Sequence, residues 1–298
     1  KPNLGLEPLP DVDFNIRAGN TLIGYTSEKE IEDALGGQLD FDNDLEKIKE
    51  KCDVVARTFA RYKELQLEYG KDYMDFFQAK AELKQRLEEL NDQLNLLLHK
   101  QTTDMNYDQW FATHQPFHWL AEFYEIVHER GGFDVIIGNP PYVEVKKVQY
   151  SINGYSTASC GNLYAFVLER NKKILNEKSY CSMIVPLSGH STARMEPLVK
   201  NFYLEFSNCY IINLSADAHP SVLFPGVKFR LAVFIVNNIY KGLYTSRYRR
   251  WYALERDTLF SLVAFTGIGK FHHQSIIPKI INKKHLDVME KVSAITNK

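Results

Sequence analysis

Cysteine is scarce in this chain and never paired in sequence: Cys52, Cys160, Cys181 and Cys209 stand apart, with no CxxC among them. That scatter argues against a structural zinc site and suits a reducing cytoplasm. Long apolar runs are missing as well. No stretch approaches the roughly 20 residues of a membrane-spanning helix, and the opening Lys1-Pro2-Asn3-Leu4 has none of the architecture of a signal peptide. Net charge is almost nil, −1 across 298 residues, so no global field marks a polyanion partner. His272, His273 and His285 lack the spacing of a metal-ligand set. What the chain does have is 45% hydrophobic content, enough for a sizeable core in one large or two ordinary domains.

The most informative stretch is Asn139-Pro140-Pro141-Tyr142, directly after the apolar run Phe133–Gly138. The β-branched residues Val135, Ile136 and Ile137 predict a strand covered on both faces of a parallel sheet. Ligand crevices of open α/β sheets lie beyond the carboxyl ends of such strands. The two prolines fix φ and remove two backbone donors, so the turn presents carbonyl oxygens with no competing N–H. Asn139 adds an amide oxygen and Tyr142 a flat face. This set suits a planar amine whose lone pair is delocalised and therefore poorly nucleophilic. When the Asn139 side-chain oxygen and the Pro140 carbonyl both accept from such an amine, its nitrogen is drawn toward tetrahedral geometry and its lone pair is aimed at an incoming methyl group. A base inside a duplex reaches such a pocket only when flipped out, and Tyr142 is the residue to stack on it.

These residues resemble the gamma-type adenine-N6 DNA methyltransferases, and more narrowly the methylase module of type IIG restriction-modification enzymes and related phage-defence methylases. Gly19-Asn20-Thr21-Leu22 looks like that family's third motif, which implies contact between Asn20 and the adenine ring of S-adenosylmethionine, with Asn139 as a second cofactor-binding residue. Gly161-Asn162-Leu163-Tyr164 resembles the fifth motif at a helix start, and Ile184-Val185-Pro186-Leu187-Ser188 the next strand end. Leu223-Phe224-Pro225, followed by Phe229–Ile235, resembles the eighth motif and implies Phe224 as Tyr142's partner around a flipped adenine. The resemblance implies S-adenosylmethionine as cofactor and double-stranded DNA as substrate. A type IIG arrangement would add a nuclease upstream and a target-recognition domain downstream. One departure matters: the family's glycine-rich loop and ribose-binding acid precede its third motif, which here begins at Gly19. The chain therefore reads as an internal piece with an incomplete cofactor site.

The expected fold is α/β, a partial class I (Rossmann-like) methyltransferase sheet with an inserted antiparallel helical hairpin. Leu45, Ile48, Cys52, Val55, Phe59 and Tyr62 step by three and four, as do Leu83, Leu87, Leu90, Leu94 and Leu97, and the two seams flank the Gly70 region. This divides the chain into a catalytic domain of residues 1–27 and 116–240, a hairpin insertion of 28–115 and a basic segment of 241–298. Beyond Tyr142, helices are expected over Gly161–Leu175 and Thr192–Phe206, and strands over Tyr180–Pro186, Cys209–Leu214 and Leu231–Val236. No helix precedes the last strand, which points to an antiparallel ending. From residue 241 there are 11 Lys or Arg against 4 Asp or Glu, and Tyr244, Arg247, Tyr248, Arg249, Arg250, Trp251 and Tyr252 interleave rings with cations. Such a composition fits either phosphate contact and stacking or an edge strand with amphipathic aromatics.

Two other functions compete. Protein glutamine methyltransferases use the same Asn-Pro-Pro-Tyr turn on a chemically similar amide nitrogen, although nothing in them requires a helical insertion or a basic aromatic tail. A non-catalytic segment that binds DNA or a partner is the other.

Overall fold

The computed structural model describes residues 12–35, 44–67, 73–102, 105–216, 224, 229–250, 252–269 and 276–296. Lys1–Leu4, Gly70, Leu223, Pro225, Trp251, His272 and His273 lie outside the described residues. Residues 1–130 and 131–298 form two compact units.

The first unit is helical. Helix α1 (Glu28–Leu35) precedes the long α2 (Asp44–Leu67) and α3 (Tyr73–Thr102). Ile48, Cys52, Val55 and Tyr62 of α2 and Leu83, Leu87, Leu90 and Leu94 of α3 share one buried cluster, as their spacing demands. Tyr62, late in α2, meets Phe76, early in α3, with ring centroids 5.4 Å apart, so the two helices run antiparallel. A pair of helices leaves apolar edges uncovered, and the flanking segments close them. Phe14 packs edge-on against Tyr62 at 5.0 Å, and Tyr25, Leu120, Ala121 and Tyr124 join the same cluster. Segments 12–27 and 116–130, grouped from the sequence with the catalytic domain, thus pack here on the hairpin. The short helices α4 (Tyr107–His114) and α5 (Trp119–Glu122) complete the unit. Between them, His118 Nδ1 accepts from the Tyr25 N–H at 3.1 Å and its Nε2 lies 3.0 Å from Asn95 Oδ1, which places the proton on Nε2.

The second unit is a mixed six-stranded sheet. Its elements run β1 (Phe133–Gly138), α6 (Leu163–Ile174), β2 (Leu175–Pro186), α7 (Ser188–Ser191), α8 (Glu196–Leu198), β3 (Asn208–Leu214), β4 (Leu231–Asn237), β5 (Gly242–Arg249), β6 (Phe265–Gly267) and α9 (Lys283–Thr296). The strand order is β1-β2-β4-β3-β5-β6. β1 and β2 are parallel, and α6 makes the crossover between them. β4 is antiparallel to both β2 and β3, the antiparallel ending read from the missing helix. Gly132, at φ 124°, opens β1 where a Cβ would stand 2.6 Å from the Ile174 carbonyl oxygen, so only glycine fits. Cys181, Met183, Val185, Cys209, Ile211, Phe234 and Val236 alternate onto one face and pack with Tyr164, Leu168, Phe202 and Tyr203. All four cysteines are buried and unpaired, and among the described residues no helix is long and apolar enough to cross a membrane.

Three expectations are corrected. Among the described residues, β1 is the outer strand of the sheet and is covered on one face: Val135 and Ile137 are 60% and 79% exposed, while Ile136 packs inward. The Thr192–Phe206 helix is broken into a 3-10 turn, α8 and a π-helical turn over Val199–Tyr203, because Thr192 is extended and Pro197 follows. Of the basic aromatic stretch, Tyr244–Arg249 lie in β5, a strand as one of the two readings had it but an inner one, parallel to β3 and antiparallel to β6, where Tyr244 stacks on Tyr210 at 4.4 Å and Arg249 pairs with Glu255 at 3.2 Å.

Candidate target-base site

Asn139-Pro140-Pro141-Tyr142 leaves the carboxyl end of β1, where Gly138 registers with Met183 of β2. Pro140 is buried and Tyr142 half-buried, while Asn139 and Pro141 are exposed. Two backbone bonds hold the chain that follows. Leu163 N–H donates to the Val143 carbonyl at 2.8 Å and Val145 N–H to the Gly161 carbonyl at 3.1 Å, tying the turn to the start of α6. Gly161 has φ 64°, and a Cβ there would strike the Arg194 guanidinium. After β2, the Leu187 N–H donates to the Arg230 carbonyl at 2.8 Å, which draws Phe229 toward the same place.

A cavity of about 220 Å³ results, lined by Tyr142, Asn162, Ser188, Thr192, Arg194 and Phe229 among others. The Tyr142 ring meets Phe229 edge to face at 5.9 Å and Tyr164 at 6.4 Å. Burial pushes the Tyr142 phenol up to about 12, so it keeps its proton at neutral pH. Its hydroxyl lies 2.7 Å from Asn139 Oδ1 and 2.8 Å from the Ile184 carbonyl oxygen. The buried Oδ1 of Asn162 has no partner among the described residues and is an acceptor open to a ligand donor. At the rim, a hydrogen bond from Lys146, with the cations of Lys147 and Arg194 beyond it, holds the Glu144 carboxyl below the usual carboxylate range.

A polar network supports the loop that carries Ser188 and Thr192. His190 is fully buried, with Nε2 2.9 Å from Asn213 Oδ1, and Asn213 Nδ2 donates to Thr245 Oγ1 at 3.1 Å and to the Ser246 carbonyl at 2.8 Å. With the Asn213 nitrogen committed as donor, its oxygen accepts, so His190 is the neutral tautomer protonated on Nε2. Burial first, then repulsion from Lys279, pushes its pKa down to about 4, against the opposing Asn213 bond.

The structure thus sets Tyr142 against the Gly161–Tyr164 and Pro186–Ser188 stretches around the cavity, while Asn139 touches the Tyr142 hydroxyl and, like Pro140, is not among the lining residues. Phe224 is half-buried at a bend between residues outside the described set; the ring brought against Tyr142 is Phe229, whose place at the head of the Phe229–Ile235 run was its only signal in the sequence. Arg194 and Thr192 had none. Asn20 belongs to the first unit. Its backbone N–H donates to Gln115 O at 2.7 Å, and its Oδ1 accepts from the Leu22 N–H at 3.2 Å, leaving its amide NH2 without a partner among the described residues. Of the two contacts that the family resemblance implies for S-adenosylmethionine, Asn139 lies in the second unit and Asn20 in the first. No strand among the described residues is followed by a glycine-rich loop for the methionine end, so the residues present fit only part of that cofactor.

The Eco57I restriction-modification methylase model matches residues 40–216, a span that includes the turn, α6 and β2. The chain belongs to the Eco57I restriction-modification methylase family. A putative type II restriction enzyme and methyltransferase of Methanocaldococcus jannaschii is 30% identical over 108 residues, which is 36% of this chain and 9% of that protein. Two DNA-bound solved structures are similar at low level. The cryoEM structure of the DrdV–DNA complex shares 17% identity at TM-score 0.36, over 52% of this chain and 19% of its own. A nuclease-deletion mutant of the Type ISP restriction-modification enzyme LlaGI, with a DNA substrate mimic, shares 14% at TM-score 0.40, over 68% and 23%. The chain therefore spans a small part of each of these proteins.

Proposed function

We propose that this chain carries the target-base pocket of a DNA adenine-N6 methylase within a larger restriction-modification enzyme. The observation that supports it most is the junction of the Asn139–Tyr142 turn with an aromatic-lined cavity at the carboxyl end of β1. In this reading the order β1-β2-β4-β3, with β4 antiparallel between its neighbours, is the second half of a class I methyltransferase sheet.

The chemistry follows from the residues. The adenine ring enters against Tyr142, with Phe229 or Phe224 on its other side. The Asn139 side-chain oxygen and the Pro140 carbonyl accept from the exocyclic amine, which strips conjugation from its lone pair as charge develops on nitrogen. S-adenosylmethionine, when bound, supplies the methyl group. Arg194 and the Lys146–Lys147 pair give the rim the cations that a DNA backbone requires.

The test is methyl transfer from labelled S-adenosylmethionine by the full-length protein to duplex oligonucleotides and to a glutamine-containing peptide. Label appearing as N6-methyladenine supports the proposal; label on glutamine, or on no nucleobase, overturns it.

A further inference from the structure

The Tyr142 hydroxyl has one proton and two neighbouring oxygens, Asn139 Oδ1 at 2.7 Å and the Ile184 carbonyl oxygen at 2.8 Å. The one proton serves a single full hydrogen bond, so the second contact gains a proton only if its partner can donate. A carbonyl oxygen cannot donate, so Ile184 is fixed as an acceptor. A side-chain amide can present either end, its oxygen and nitrogen being nearly the same in shape. Both contacts become hydrogen bonds at once when Tyr142 donates to Ile184 and the Asn139 NH2, turned inward, donates to the Tyr142 oxygen. With the amide so turned, the Asn139 oxygen faces away from the phenol.

From this geometry we infer that Tyr142 is a positioning residue for Asn139: its hydroxyl, anchored on the Ile184 carbonyl at the end of β2, selects the amide orientation that leaves the Asn139 oxygen for the target amine. The inference rests on the proposed adenine reading and adds to Tyr142 a role separate from stacking. An asparagine free to turn about its last bond would offer its NH2 to the substrate amine part of the time, donor against donor. A fixed amide avoids that misorientation before the reaction begins. The strand pairing supports the anchor: Ile184 registers with Val233 of β4, so its backbone is held within the sheet and the carbonyl is a rigid reference point. The phenol is suited to the task because it remains protonated across the working pH range.

The experiment compares wild type with Tyr142→Phe in the full-length protein. It measures single-turnover methyl transfer, KM for DNA, thermal stability and the fluorescence of 2-aminopurine at the target position. Tyr142→Phe keeps the stacking ring and loses only the hydroxyl, so flipping and KM are expected to stay at wild-type level while transfer falls roughly 10-fold, the scale of one oriented hydrogen bond. A fluorinated tyrosine at position 142, which retains the hydroxyl but acidifies it, gives a second readout if Tyr142→Phe fails to fold. Transfer should then decline as pH rises through the phenol's lowered pKa, with flipping unchanged. Wild-type transfer by Tyr142→Phe, or a pH profile unmoved by fluorination, overturns the positioning role and leaves the adenine reading standing. Absence of adenine methylation by the wild type removes the reading itself.

Discussion

The rings of Tyr142 and Phe229 meet edge to face with centroids 5.9 Å apart and planes at 80°, and both line the cavity beside the turn. A planar base that stacks on Tyr142 would take the place where Phe229 now touches it. Replacing either ring should therefore weaken extrusion of the base. Tyr142→Ala and Phe229→Ala are each expected to lose about 1–3 kcal/mol of flipping free energy, the usual worth of base–aromatic stacking, while Tyr142→Trp retains it. Fluorescence of 2-aminopurine at the target position measures this. A larger loss from Phe224→Ala than from Phe229→Ala would return the partner role to Phe224.

Asn139 acts on the amine chiefly as charge develops, so its removal should appear in the chemical step. Asn139→Ala is expected to lower single-turnover transfer by about 100-fold or more, with specific DNA affinity within a few-fold of wild type. Gel-shift titration alongside the rate assay separates the two. Undiminished transfer would take Asn139 out of the mechanism.

By itself, the chain of 298 residues should bind S-adenosylmethionine weakly. Asn20 and Asn139 lie in different units, and no glycine-rich loop follows a strand among the described residues. Each missing hydrogen bond to a polar ligand costs about 0.5–1.5 kcal/mol, and several together cost orders of magnitude in affinity. Titration calorimetry decides the point, and micromolar binding would show that other residues supply the missing contacts.

The burial of His190, with Lys279 beside it, makes stability depend on pH. His190 is neutral in the folded chain, with its pKa pushed down to about 4, and takes up a proton near pH 6.5 once unfolded. The unfolded state then binds more protons, so stability present above the unfolded pKa is lost as pH falls toward 4, by up to roughly 3 kcal/mol. In denaturant melts from pH 7 to 4.5, His190→Leu should flatten this slope. It should also lower stability at pH 7 by about 1–3 kcal/mol, because the Asn213 oxygen is left unpartnered. An unchanged slope would mean that His190 does not carry the effect.

Leu90 is fully buried on the hairpin seam. Leu90→Ala should destabilise the helical unit by about 2–5 kcal/mol, read from its unfolding transition by circular dichroism. A cost below 1 kcal/mol would mean the seam is not packed as described.

How much of this was legible in the sequence depends on the range of the forces concerned. The hairpin was, because its period is a local property: Ile48, Cys52 and Val55 recur at helical spacing, and Leu83, Leu87 and Leu90 face them, so burial admits few other arrangements. β1, α6, β2, β3 and β4 were also foreseen, to within a few residues at most ends, from apolar runs bounded by turn residues. The backbone course of the Asn139–Tyr142 turn was written in the residue types, since two prolines leave the backbone little choice.

What only the tertiary structure decided are the meetings of distant residues. Phe229, not foreseen beside Tyr142, arrives through the bond from Leu187 to Arg230, which no local pattern announces. Arg194 lines the pocket with its guanidinium over Gly161, a meeting across more than thirty residues. The open face of β1 shows the same limit from the other side. Val135 and Ile137 read as core by composition, yet burial is set by which elements lie across a strand, and among the described residues β1 pairs with β2 alone and has a packed layer on one face. Secondary structure follows from interactions a few residues apart and is carried by the chain itself. The pocket depends on contacts made across dozens of residues, whose partners are chosen only when the sheet closes.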